Sequence, residues 1–164
     1  MIKTTPRTGL RLALLALIAL GAMALALPAL SAAGKNTVEV DGKLQGKEEV
    51  PGPGSKKGKG DVQVFLKPKK QKVCFELQVK NLDPMTAGHI HKGAEGVAGK
   101  IKVTLFEDQQ GLAGDGSYEG CIVDVKKKLI KRMIKSPEKF YVNLHTLEFP
   151  DGAVRGQLAP TVGA

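Results

Sequence analysis

Val73, Phe75, Leu77 and Val79 alternate without a break with Cys74, Glu76, Gln78 and Lys80. Period-two alternation places one set of side chains on each face of an extended strand. A helix would scatter that apolar set around its circumference, so the segment demands a sheet with one buried side. Weaker versions recur along the chain. Thr37 to Leu44 reads as a first strand, and Asp61 to Leu66 as another with Val62, Val64 and Leu66 on one face. Ile101, Val103 and Leu105 mark a further strand, Tyr118 to Val123 the next, and Phe140 to Thr146 and Ala153 to Ala159 the last two. Breaks separate them: Pro51-Gly52-Pro53-Gly54, Asn81-Leu82-Asp83-Pro84, a short glycine-rich stretch from Gly88 to Gly99, and a polar loop from Glu107 to Gly116.

Helical spacing appears only from Lys126 to Lys135, where Leu129, Ile130, Met133 and Ile134 form an apolar side and Ser136-Pro137 a stop. No repeat of about 20–50 residues is present. Many short strands, glycine-rich turns and one helix predict an all-β fold: an antiparallel Greek-key sandwich or barrel with one short helix.

The last two strands make the sharpest local expectation. Pro150-Asp151-Gly152 suits a three-residue hairpin loop, with Gly152 at the positive-φ position. Counting outward pairs Phe149 with Ala153, Leu147 with Arg155, His145 with Gln157 and Leu144 with Leu158. Val142, Leu144 and Leu158 then share the core face. Tyr141, Asn143, His145, Arg155 and Gln157 share a structural polar face, from which Arg155 can reach a carbonyl or a carboxylate.

Residues 1–33 do not read as part of this fold. Lys3, Arg7 and Arg11 lead an almost wholly apolar run from Leu12 to Leu30, followed by the small residues Ser31-Ala32-Ala33. That is the layout of a secretory signal peptide, and the alternative is an uncleaved anchor helix. No later segment is apolar enough to span a bilayer, and residues 34–164 are enough for one domain with a single core. The expected location is secreted or periplasmic. Export favours a disulfide between Cys74 and Cys121, the only cysteines, over two buried free thiols.

Three segments resemble the CHRD domain, the repeat named from the secreted protein chordin and found in exported bacterial proteins. Leu44-Gln45-Gly46-Lys47-Glu48-Glu49-Val50-Pro51 is like its opening Leu-x-Gly-x-x-Glu-Val-Pro. Ala87-Gly88-His89-Ile90-His91-Lys92-Gly93 is like its Ala-His-Ile-His-x-Gly segment, with Gly88 intervening. Tyr141-Val142-Asn143-Leu144-His145-Thr146, followed by Pro150 to Leu158, resembles its closing Tyr-Val-Asn-x-His-Thr … Pro-x-Gly-x-x-Arg-Gly-Gln-Leu. The resemblance spans Val38 to Ala159. Ala153 replaces a frequent acidic residue, and the basic helix has no counterpart in the pattern. The resemblance implies an extracellular β-sandwich and no established catalytic activity, so the chain reads as a non-enzymatic binding or envelope-associated module.

All three histidines fall in two of these segments. A His-x-His on a strand puts two imidazoles on one face, with backbones about 7 Å apart. With His145 as a third nitrogen, His89 and His91 form a candidate site for copper or zinc, the cofactor that such a set would take. The alternative is that the histidines hold loops by hydrogen bonds to carbonyls. No nucleophile-elbow pattern surrounds Ser55, Ser117 or Ser136, and the cysteines lack C-x-x-C spacing. The net charge of +9 is spread over lysine clusters. Lys126, Lys127, Lys128, Lys131 and Arg132 are the candidate binding residues for an anionic ligand such as a polysaccharide; ordinary solvated cations are the alternative. With no Trp and two Tyr, stacking on nucleic-acid bases is disfavoured, as it is by export.

Overall fold

The computed structural model describes residues 36–161; the expected signal peptide lies outside the described residues. Nine strands form one antiparallel sheet: β1 (Val38–Gln45), β2 (Lys59–Lys67), β3 (Lys72–Lys80), β4 (Met85–Lys92), β5 (Lys100–Leu112), β6 (Gly116–Ile122), β7 (Phe140–Thr146), β8 (Val154–Gln157) and β9 (Ala159–Pro160). Their order is β5-β4-β7-β8-β1-β2-β3-β6, with β9 beside β1. Strands β5 and β6 stand at opposite ends of this order yet are consecutive in the chain, so the sheet must curl until its ends approach. Phe75 of β3 and Phe106 of β5 meet across that closure, with ring centroids 6.4 Å apart. The result is a nearly closed barrel rather than two separate sheets.

The alternating residues fill its interior. Val62, Val64 and Leu66 of β2 and Val73, Phe75, Leu77 and Val79 of β3 are buried, as are Ile90, Val103, Leu105, Val142, Leu144, Val154 and Leu158. The only α-helix among the described residues, α1 (Lys127–Lys135), buries Ile130 and Met133 and packs beside β2. Its first residues and its cations face solvent, as amphipathic spacing requires. Cys74 and Cys121 face each other across β3 and β6 and form a disulfide. The 47-residue separation gives a stabilisation of about 4 kcal/mol by chain-entropy reasoning.

Three local expectations fail. The glycine-rich stretch from Gly88 to Gly99, expected as a break, is strand as far as Lys92, because β4 is paired on one side with β5 and on the other with β7. The segment read as a polar loop from Glu107 to Gly116 is mostly strand, because β5 runs on to Leu112. Backbone pairing with β4 carries it there, Ala87 facing Glu107 and Met85 facing Leu112, where the side-chain pattern carries no signal. The closing hairpin is also shifted. Leu144 pairs with Val154, Asn143 with Arg155 and Tyr141 with Gln157, not Leu144 with Leu158 or His145 with Gln157. A turn inside the loop consumes the extra residues: the Phe149 N–H donates to Thr146 Oγ1 at 3.1 Å, and the Gly152 N–H to the Phe149 carbonyl at 3.2 Å. The difference is an even number of residues, so both faces of the hairpin keep their side chains. Gly152 does take a positive φ, 149°.

Candidate metal centre

Ile90 points into the barrel, so His89 and His91 on either side of it point out. On the neighbouring β7, Val142 and Leu144 face the core, and Tyr141, Asn143 and His145 face outward. The register sets His91 opposite Tyr141, His89 opposite Asn143 and Ala87 opposite His145. That pairing brings the histidines of two distant segments together on the outside of the barrel wall. His89 and His91 are nevertheless buried, and His145 is half-buried. Two loops reach them, residues 93–99 at His91 and 147–153 at His145.

The three imidazoles offer nitrogens that all lie within 4.8 Å of one another. Ring centroids are 5.0 Å apart for His89 and His145, 5.7 Å for His89 and His91, and 6.2 Å for His91 and His145. His91 Nδ1 lies 2.9 Å from the Gly99 carbonyl, and His145 Nδ1 lies 2.9 Å from the Pro150 carbonyl. A carbonyl can only accept, so both Nδ1 atoms carry the proton and both Nε2 atoms carry a lone pair. These buried Nε2 atoms have no hydrogen-bond partner, nor has the buried Nδ1 of His89. On its other side, His89 Nε2 stands 3.8 Å from Glu107 Oε1. The loop-fixing and ligand readings of the histidines are therefore compatible: one nitrogen of His91 and of His145 holds a loop, and the other stays free.

Burial pushes all three histidines below their usual pKa of 6.5. The neighbouring His145 and His91 add to the effect at His89, and Glu107 opposes it. At His91 the Gly99 carbonyl opposes burial, while His145 and Arg155 add to it. The Pro150 carbonyl and Asp151 oppose burial at His145. The set is thus neutral at pH 7, the form that binds metals. Zinc holds imidazole nitrogen at about 2.0–2.1 Å, so closure on one ion needs movements under about 1 Å per ligand. The carbonyls and Glu107 would supply the outer partners that orient such ligands.

The expected polar face supports the site from beside it. The Tyr141 ring stacks on His91, with centroids 4.8 Å apart and planes 13° apart. The Arg155 guanidinium lies 3.5 Å from the Tyr141 ring centre and donates to the Ala94 carbonyl at 2.9 Å. Tyr141 Oη accepts the Gly99 N–H at 3.0 Å, and Gln157 Nε2 lies 2.9 Å from the Gly93 carbonyl. Together these side chains clamp the 93–99 loop over His91. Asn143 donates to Glu49 Oε2 at 3.3 Å.

Two contributors escaped the sequence reading. Glu107 sits in the segment taken for a loop. Glu49 is buried, and burial raises its carboxyl to about 7 against the pull of Arg155 and of the Asn143 bond. The signal for Glu49 was present, because it is the acid of the opening Leu-x-Gly-x-x-Glu-Val-Pro pattern. The other expected set, Lys126, Lys127, Lys128, Lys131 and Arg132, is exposed at and along α1 and takes no part in the histidine cluster.

All three histidines, with Glu49, Arg155 and Gln157, fall inside residues 40–158, which match the family model described as the CHRD domain. The chain belongs to the CHRD domain family. The matched stretch reaches from within β1 to Leu158 and so contains the histidine cluster and the side chains that clamp its loops. No curated protein and no solved structure is significantly similar to this CHRD chain. Among the described residues, no helix is long and apolar enough to cross a membrane.

Proposed function

We propose that this CHRD protein is an exported, non-enzymatic binding module whose ligand is a single transition-metal ion, copper or zinc, held by His89, His91 and His145. One observation carries the reading: three buried imidazole nitrogens converge, and none has a partner. Buried polar atoms are almost always satisfied, and a partner that accepts lone pairs would satisfy all three nitrogens at once. A metal cation is such a partner, and imidazole suits copper and zinc. The module reading rests on membership of the CHRD family and on the lack of a paired nucleophile and base in the sequence. Export to a secreted or periplasmic location rests on the basic and apolar leader before Ser31 and on the Cys74–Cys121 disulfide, which belongs to an oxidising compartment. The macromolecular partner, extracellular or in the envelope, follows from that location.

The test is a calorimetric titration of copper and of zinc into metal-free protein. One ion per chain is expected. His89→Ala, His91→Ala and His145→Ala should each weaken binding by about 100-fold or more, since each removes one of the three protein ligands. Lys128→Ala, on the outer face of α1, should bind as wild type. Absence of stoichiometric binding for both ions would end the proposal.

A further inference from the structure

The two ends of the strand order, β5 and β6, approach but do not pair, so the barrel has an open seam. A cleft of about 580 Å³ occupies it, between the start of β5, the end of β6 and α1. Its lining joins two kinds of surface. Ile101, Val123 and Leu129 supply an aliphatic floor, and Ile101 and Val123 are 50% and 61% exposed. Lys92, Lys102, Lys126 and Arg132 supply the rim, against one acid, Asp124. Lys126 and Arg132 belong to the basic helix segment, while Lys92 and Lys102 come from strands far away in sequence. Only the curl of the sheet assembles them.

We propose that this seam binds a small anionic amphiphile, a free fatty-acid-like molecule whose alkyl chain covers the aliphatic floor and whose carboxylate lies among the four cations. The volume is that of small-molecule sites, which span about 300–1,000 Å³. Aliphatic side chains left this exposed lose contact with water when an alkyl chain covers them. The surplus of positive charge selects an anionic head over a neutral one. A polysaccharide fits the floor less well, because no aromatic ring lines the cleft for sugars to stack on. The site is independent of the histidine cluster, so the two readings stand or fall separately.

Dodecanoate below its micellar concentration is the probe, read by NMR of the full chain with labelled Ile, Leu and Val methyl groups. Residue-resolved signals distinguish the seam from any other apolar segment. Saturable shifts are expected at Ile101, Val123 and Leu129, unaltered by zinc or a chelator. Lys102→Ala should weaken binding about 5- to 10-fold, and Val123→Asp should abolish it; both positions are exposed, and the core methyl signals report whether each variant is folded. Acetate and dodecyl maltoside should not saturate the site. The proposal is overturned if dodecanoate shifts no seam methyl, if acetate shifts them equally, if Lys102→Ala binds as tightly as wild type, or if only anionic vesicles and not monomeric dodecanoate shift them.

Discussion

His89 and His145 come from different strands and distant segments, yet their ring centroids lie 5.0 Å apart, with planes inclined at 65°. His89 directs Nδ1 and His145 directs Nε2 into buried space where neither finds a partner. Two neutral imidazoles tolerate this approach, whereas two imidazolium ions would repel each other.

That relationship sets the pH dependence of metal loading. Burial holds all three histidines below 6.5, so at pH 7 an incoming ion displaces no proton from them. Affinity should change little between pH 8 and 6.5 and fall steeply below that range, as protons compete for the same nitrogens. The metal-free fold follows the same sign. A lowered folded pKa means that the unfolded chain binds more protons below 6.5, so stability is complete above 6.5 and declines as pH falls. Affinities at pH 8, 7, 6 and 5 test this; a tenfold loss already between pH 8 and 7 would contradict it.

Glu49 works in the opposite direction. Its folded carboxyl is raised to about 7 from an ordinary 4.5. Its contribution is therefore full below pH 4.5 and is lost as pH rises through 7. Glu49→Gln, which keeps the shape of the protonated form, should gain on wild type as pH rises from 5 to 8, by about 1–3 kcal/mol given 1.4 kcal/mol per pKa unit. Urea unfolding at both pH values measures it. Parallel stability profiles for the two proteins would mean that Glu49 is ionised throughout, held by Arg155.

Gly152→Ala should be among the most damaging single changes in the covering loops. The residue sits at φ 149°, and a Cβ there would run into Glu49 Oε2 and lie 2.7 Å from Asn143 Nδ2. Backbone strain and the displaced carboxyl together should cost about 2 kcal/mol or more. The Pro150 carbonyl that fixes His145 belongs to the same loop, so metal affinity should fall with stability. A variant with wild-type urea midpoint and wild-type affinity would show that the loop adapts freely.

The sequence by itself determined the class of fold and the two faces of the strands whose alternation it shows, but not β4, whose glycine-rich segment reads as a break. Alternation in β3 and spacing in α1 are local properties, set by where successive side chains point, and they survive whatever the strands pair with. For the same reason the polar face of Tyr141, Asn143, His145, Arg155 and Gln157 was legible even though the hairpin register was not: an even slip preserves faces. The register itself depended on a turn that Thr146 and Phe149 close within the loop, and β5 beyond Glu107 depended on pairing with β4. Neither leaves a mark in side-chain periodicity. Tertiary structure alone decided which nitrogens of the histidines are free, because that is settled by the Gly99 and Pro150 carbonyls. It alone buried Glu49 beside Asn143, and it alone drew Lys92, Lys102, Lys126 and Arg132 around one seam. Each of these follows from the strand order around a curled sheet, a long-range property that no window of neighbouring residues contains.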